Sequence, residues 1–407
     1  MKTMKWDRKP LGTVADLCLG KMLDQNKNRG EPFPYLANVN VRWGVFELNN
    51  LRTMRFEPKE MDRYGLKFGD IVMCEGGEPG RCAIWKDQIF GMMIQKALHR
   101  IRPKALLDYR FLFYSFLHIG HSKGFDQYFT GATIKHLPGE KLAKVEVDIP
   151  PIPIQRRIAA ILSAYDELIE NNQRRITILE TMARNLYREW FVHFRFPGHE
   201  NHPRVSSALG EIPQGWEVKK LGEIAEEMRR NVPKGELDEP QPYVGLEHIP
   251  RRSLALDAWE TTLELGSNKL EFKNGEVLFG KIRPYFHKVS IAPFDGLCSA
   301  DTIIIRARHS AYYAFVVACV SSDAFVAEAS ATANGAKMPR ANWGVLEKYK
   351  VIIPTGGVAR QFSTLFTKIL GQQQALIFQI QNLRRTRDLL LPRLLSGQID
   401  VETLSHA

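Results

Sequence analysis

At 407 residues, 44% apolar and 25% charged, the chain exceeds a single hydrophobic core and excludes an intrinsically disordered protein. Lys plus Arg outnumber Asp plus Glu by 56 to 45, a formal charge of +11 that favours encounter with a polyanion such as nucleic acid. Cys18, Cys74, Cys82, Cys298 and Cys319 are odd in number and lack paired short spacing, which excludes a disulfide framework or a cysteine zinc site and leaves reduced, buried thiols.

Lys2, Lys5, Arg8 and Lys9 have no apolar stretch behind them, and the longest apolar run, Tyr312 to Val320, is too short for a bilayer. No membrane association and a cytoplasmic location are therefore expected. Residues 1–150 read as a first globular domain, with short strands at Gly69–Met73 and Arg81–Trp85 around Gly-rich turns. Pro150, Pro151 and Pro153 then mark an extended approach to a long helix in 151–197. Its apolar seam is taken as Ile158, Ile161, Tyr165, Leu168, Asn172, Ile176, Leu179, Ala183, Leu186 and Trp190, a coiled-coil spacing with a stutter between Asn172 and Ile176.

The plan then repeats. Trp6, Lys9, Leu11 and Gly12 return as Trp216, Lys219, Leu221 and Gly222, and Pro34-Tyr35 as Pro242-Tyr243. Lys67-Phe68-Gly69-Asp70-Ile71-Val72 returns as Lys273-Asn274-Gly275-Glu276-Val277-Leu278, and Gly131-Ala132 as Gly335-Ala336. Residues 198–354 form the second globular domain, with strands at Glu276–Phe279 and Thr302–Arg306. Past Pro354, Gly356 and Gly357 comes a second long helix in 355–407. Its seam is Phe362, Leu365, Ile369, Gln372, Leu376, Ile380, Leu383, Arg387, Leu390 and Leu394, stuttering at the same place, with Pro392 expected to kink or end it. Each helix spans roughly 40 residues, about 60 Å, longer than a domain of this size needs. The expected fold is α+β: two mixed α/β domains separated by two long antiparallel coiled-coil helices, in a pseudo-two-fold repeat resembling a dumbbell.

Leu162, Ile169, Ile178, Met182 and Phe191 on the first helix, and Phe366, Leu370, Ile377, Phe378 and Leu389 on the second, add an apolar face beyond the seam. Contact with the chain's own domains would cover it, but partner helices completing a bundle suit it better.

Ile149-Pro150-Pro151-Ile152-Pro153-Ile154-Gln155-Arg156-Arg157-Ile158 resembles the central conserved region of type I restriction-modification specificity subunits. Val351-Ile352-Ile353-Pro354 and Leu389-Leu390-Leu391-Pro392-Arg393-Leu394-Leu395-Ser396-Gly397-Gln398-Ile399 are similar to its terminal region, so the resemblance spans the chain. It implies a non-catalytic subunit whose two target-recognition domains each read half of a bipartite, asymmetric site in double-stranded DNA. It also implies two modification subunits that methylate adenine N6 from S-adenosylmethionine, and restriction subunits that use ATP and Mg. This chain itself would bind no cofactor or metal.

Catalytic motifs are missing accordingly. Neither Gly20-Lys21 nor Gly280-Lys281 continues as a phosphate loop, and no Asn/Asp-Pro-Pro-Tyr/Phe methylase signature occurs. His199-Glu200-Asn201-His202 lacks metalloprotease spacing. His118-Ile119-Gly120-His121, with Lys337-Met338-Pro339-Arg340, echoes class I aminoacyl-tRNA synthetases, but it ends an aromatic stretch instead of opening a helix after a strand. A stand-alone two-domain DNA-binding regulator is the other alternative. Candidate DNA contacts cluster near Gly-rich turns: Arg81, Lys86, Lys123 and Lys135 in the first domain, and Lys281, Arg283, Tyr285, Lys288, Lys337, Arg340 and Asn342 in the second.

Overall fold

Strands Ile71–Cys74 and Val277–Gly280, which follow the repeated Gly-Asp and Gly-Glu turns, are buried at every residue. A short apolar run with turn residues before it is what a sheet interior requires. The computed structural model describes residues 6–24 and 28–401, so Lys2 and Lys5 lie outside the described residues. One compact unit takes in the chain up to Glu167 and again from Arg384; the other is Leu168–Leu383.

Each unit carries the same mixed α/β domain. In the first, a four-stranded antiparallel sheet has the order Ala15–Leu19, Leu98–Pro103, Ile71–Cys74, Cys82–Ile84. The second has Ala225–Met228, Thr302–Ala307, Val277–Gly280, Val289–Ile291 in the corresponding places. A further sheet repeats as well: Glu31–Leu36 pairs antiparallel with Arg52–Phe56 and parallel with Met93–Ile94, as Gly235–Val244 does with Glu260–Leu265 and Gly296–Ser299.

Strand Asp7–Pro10 pairs with Glu146–Ile149 and strand Glu217–Lys220 with Lys350–Ile353, so in each domain the strand before the repeated Leu-Gly is tied to the last strand. The repeated Leu-Gly follows directly. Leu11 and Leu221 are fully buried, and a Cβ on Gly12 or Gly222 would stand 3.1 Å from the Ala143 Cβ or 3.0 Å from the Glu347 Cβ. Any side chain there would push its neighbour back by a few tenths of an ångström.

The first long helix is Ile152–Tyr187, continued by a π turn over Arg188–Val192; the second is Gly356–Leu395. Pro153 lies inside the first turn, where its missing N–H costs nothing. Pro392 does not end the second helix, which runs three residues further. Within the first unit, Ile158 and Leu162 share a core with Leu391 and Leu394, and Asp166 meets Arg387. Within the second, Asn172 Nδ2 donates to Gln379 Oε1 at 3.3 Å, and Trp190 and Phe191 lie 5.7 and 4.7 Å from the Phe362 ring. In each unit the partner number falls as the first rises, so the helix segments are antiparallel.

The seam differs from the expected one. Leu168 is 51% and Leu365 44% exposed, whereas Leu162, Ile169, Phe366 and Gln373 are buried. The buried and half-buried line is Ile158, Leu162, Tyr165, Ile169, Asn172, Ile176, Leu179, Ala183, Leu186 and Trp190. It is matched by Phe362, Phe366, Ile369, Gln373, Leu376, Ile380, Leu383, Arg387, Leu390 and Leu394. Both advance by four and three in strict alternation, so no stutter exists: it arose from taking Ile161 and Leu168 in place of their apolar neighbours. Leu162, Ile169, Phe191, Phe366 and Ile377 are consumed by the chain's own cores. Ile178, Met182, Phe378 and Leu389 stay exposed. The apolar stretch near Tyr312 is a helix, Tyr313–Val320, buried from Ala314 onward. No single helix among the described residues is long and apolar enough to cross a membrane.

Candidate nucleic-acid interface

In each domain two loops of distant sequence lie side by side. The strand Ile71–Cys74 runs into the turn 75–81, and the loop 130–136 is closed by reciprocal bonds, Thr130 N to His136 O (2.8 Å) and His136 N to Thr130 O (2.9 Å). Gly131 takes φ +90°, and any Cβ there would sit 2.2 Å from the Ile134 carbonyl oxygen, so the tight turn demands glycine. Leu137 N donates to Glu75 O (2.8 Å), joining this loop to the turn. The second domain repeats the construction: Asn334 and Arg340 exchange bonds of 3.0 and 2.8 Å, and Arg283 N donates to Pro339 O (2.8 Å) beside the turn 281–288. The repeated Gly-Ala pairs therefore shape corresponding loops.

These loops carry cations on exposed tips. Lys135 is exposed, 3.8 Å from Asp126 and over the Phe129 ring, and Lys123, with φ +58°, opens the turn that holds Asp126. Lys337 is exposed, and Arg340 reaches Asp301 at 3.4 Å. Arg283, at φ +49°, stands near Phe286, with Tyr285 55% exposed beside it. At matching positions of the two loops, Ile134 and Met338 project apolar tips, 66% and 47% exposed.

Four sequence candidates are already engaged within the fold. Arg81 is buried, its Nη1 2.6 Å from Glu78 and its Nη2 donating to Asn38 O at 3.1 Å. Lys288 does the equivalent, donating to Leu246 O, so both cations fasten the turn to the loop after the neighbouring sheet's long strand. Lys281 donates to Ala300 O (3.1 Å). Burial pushes the pKa of Lys281 and of Lys288 down. Asn342 caps the short helix Trp343–Leu346, its Oδ1 accepting from Gly344 N at 2.8 Å. Lys86 is exposed but lies beyond Ile84, at the hairpin end opposite the turn 75–81, and so is not brought to the cluster.

Sequence reasoning passed over an open cleft of about 580 Å³ beside Arg81, lined also by Asn38, Val39, Arg42, Trp43, Gly77 and Glu78. It also passed over Arg251, whose guanidinium lies 4.1 Å from the Phe286 ring centre. Only the pairing of remote loops reveals either. His118 and His121 close the helix Tyr109–His121. Burial, then the neighbouring His121, pushes the His118 pKa down.

The chain thus carries a duplicated α/β domain with paired cationic loops, each domain leading into a long helix. The family model "Type I restriction modification DNA specificity domain" matches residues 4–181. The specificity subunit of the type I restriction enzyme MjaIX from Methanocaldococcus jannaschii is 28% identical over 359 residues, 83% of this chain and 79% of the relative. That of EcoDI from Escherichia coli is 29% identical over 207 residues, 46% of each chain. The crystal structure of the S subunit of a type I restriction-modification system from M. genitalium superposes with a TM-score of 0.56 over 96% of both chains at 16% identity, a likeness of fold. Residues 4–181 thus match a type I restriction modification DNA specificity domain, and over most of its length the chain is similar to a type I restriction enzyme specificity subunit.

Proposed function

We propose that this chain recognises a bipartite, asymmetric sequence in double-stranded DNA, one half through each domain, and directs partner subunits to it. The observation that carries the reading is the duplication of the interface itself: two loop pairs of one backbone design, tipped with different side chains. Thr133-Ile134-Lys135-His136 stands in one where Lys337-Met338-Pro339-Arg340 stands in the other. One scaffold with two sets of contacts suits two unlike half-sites. The exposed cations hold phosphates, and arginine in particular pairs with guanine.

The two long helices act as the spacer that sets the unread gap. Their exposed apolar residues, Leu168, Ile178 and Met182 on one and Leu365, Phe378 and Leu389 on the other, suit helices of two modification subunits. Those subunits bring S-adenosylmethionine and adenine methylation, and restriction subunits bring ATP, Mg and cleavage. The work is then cytoplasmic. Co-expression with a modification subunit, followed by mapping of methylated adenines, tests the reading: one interrupted motif is expected, and a continuous motif or none refutes it.

A further inference from the structure

A spacer sets one gap only if each domain is held on it at one angle, and apolar packing alone permits sliding because it is non-directional. Hydrogen-bonded carboxylates are directional. The first long helix offers two, Asp166 and Glu180, two heptads apart and so at one heptad position. Each meets a domain within its own unit.

In the first unit Tyr114, 2% exposed on the domain helix Tyr109–His121, donates its hydroxyl to Asp166 Oδ2 at 2.7 Å. Arg387 of the second long helix donates to Oδ1 at 2.6 Å. One carboxylate thus joins both helices to a domain helix whose Phe111 and Phe113 share a core with the sheet residues Ile71, Met73 and Cys82. In the second unit Glu180, 6% exposed, accepts at Oε1 from the Ser253 hydroxyl (2.6 Å), Leu254 N (2.8 Å) and Ala255 N (3.2 Å). That segment is bonded onward to the recognition sheet: Ile291 N donates to Leu254 O (3.0 Å) and Ser290 Oγ to Ser253 O (3.0 Å). Strand Val289–Ile291 is the one into which the turn 281–288 returns. Glu180 therefore lies two hydrogen bonds from the sheet that presents the second domain's cationic loops, and Asp166 one hydrogen bond from a helix packed on the first domain's sheet. Glu180, buried, is left unpaired if moved off its donors, and Asp166, half-buried, loses two directional bonds, so these contacts resist small rotations.

We infer that Asp166 and Glu180 are positioning residues for half-site spacing, each locking one recognition domain at a single angle on the helix so that one gap length is accepted. The inference rests on the bipartite reading above; neither carboxylate touches DNA.

The test maps methylated adenines in cells making the modification subunit with the full chain, as parent and as Tyr114→Phe, Ser253→Ala, Glu180→Gln and Glu180→Ala. At sites with a gap one base pair longer or shorter, methylation relative to the parental gap is expected to rise about tenfold for Glu180→Ala, the factor one charge-assisted hydrogen bond carries. Glu180→Gln, which keeps length and an acceptor, rises less, and half-sites stay unchanged. Methylation lowered equally at all sites, with the single parental gap kept, overturns the inference, because a merely structural role does that. Should Glu180→Ala not accumulate, Tyr114→Phe and Ser253→Ala decide, since each removes only a hydroxyl. A parent that marks no bipartite site refutes the functional reading instead.

Discussion

Leu162 and Leu168 are neighbours in type and place, yet the observed seam makes opposite demands on them. Leu162 is fully buried with Ile158, Leu391 and Leu394, whereas Leu168 is 51% exposed. Truncating a fully buried leucine to alanine costs about 2–5 kcal/mol through lost transfer energy and the cavity left behind. An exposed one costs within about 0.5 kcal/mol. For a unit of this size, roughly 3 kcal/mol lowers the thermal midpoint by about 6–12 °C. Calorimetry of the full chain should show Leu162→Ala lowering the first unit's transition by that amount, with the second unit's transition as internal reference. Leu168→Ala should leave both in place. On the second helix Phe366→Ala should lower the second unit's transition, by about 3–5 kcal/mol, and Leu365→Ala should not. If Leu168→Ala or Leu365→Ala destabilises as much as its buried neighbour, the uninterrupted heptad is wrong and the stuttered seam is right.

Replacing Lys337 or Arg340 by Ala should weaken DNA binding and reduce the slope of log affinity against log salt by about one each, read by titration between about 50 and 200 mM salt; Lys86→Ala should change the slope less. One heptad inserted after Asn172 together with one after Leu376 keeps the flanking register and adds about 10 Å along the pair, so methylation mapping should show a gap longer by up to about three base pairs; an active variant with the parental gap refutes the spacer role. Burial holds the His99 pKa below its ordinary 6.5, with Nε2 2.8 Å from Leu137 O. A folded pKa below the unfolded one gives stability that is present above pH 6.5 and lost as pH falls through the folded value. The thermal midpoint should therefore drop on acidification below that pH, and His99→Gln should flatten the drop.

The duplication was legible because its signals are local and repeated. Trp, Lys, Leu and Gly recur at fixed spacing, and Gly12 and Gly222 recur for one steric reason, contact with Ala143 and Glu347. The long helices were legible in length but not in phase. Ile161-Leu162 and Leu168-Ile169 are adjacent apolar pairs, and nothing along a single helix says which member faces its partner; burial by the antiparallel helix does. The interface was legible only in part. Gly131 and Gly335 marked the loops, but the roles of Arg81 and Lys288 depend on carbonyls at Asn38 and Leu246, some forty residues upstream. A cation that fastens two loops and one that meets a phosphate look alike until the acceptor is in place. Asp166 and Glu180 passed unnoticed for the same reason, since acids on a helix surface are usually solvated.

The central claim is that one chain reads two half-sites independently, and exchanging residues 1–150 for the first domain of a similar specificity subunit tests it most directly. Methylated adenines would be mapped for parent and exchange in cells supplying the modification subunit. The account predicts that one half of the motif changes while the other half and the gap are retained. A change in both halves together, or a change in the gap with both halves kept, would contradict it.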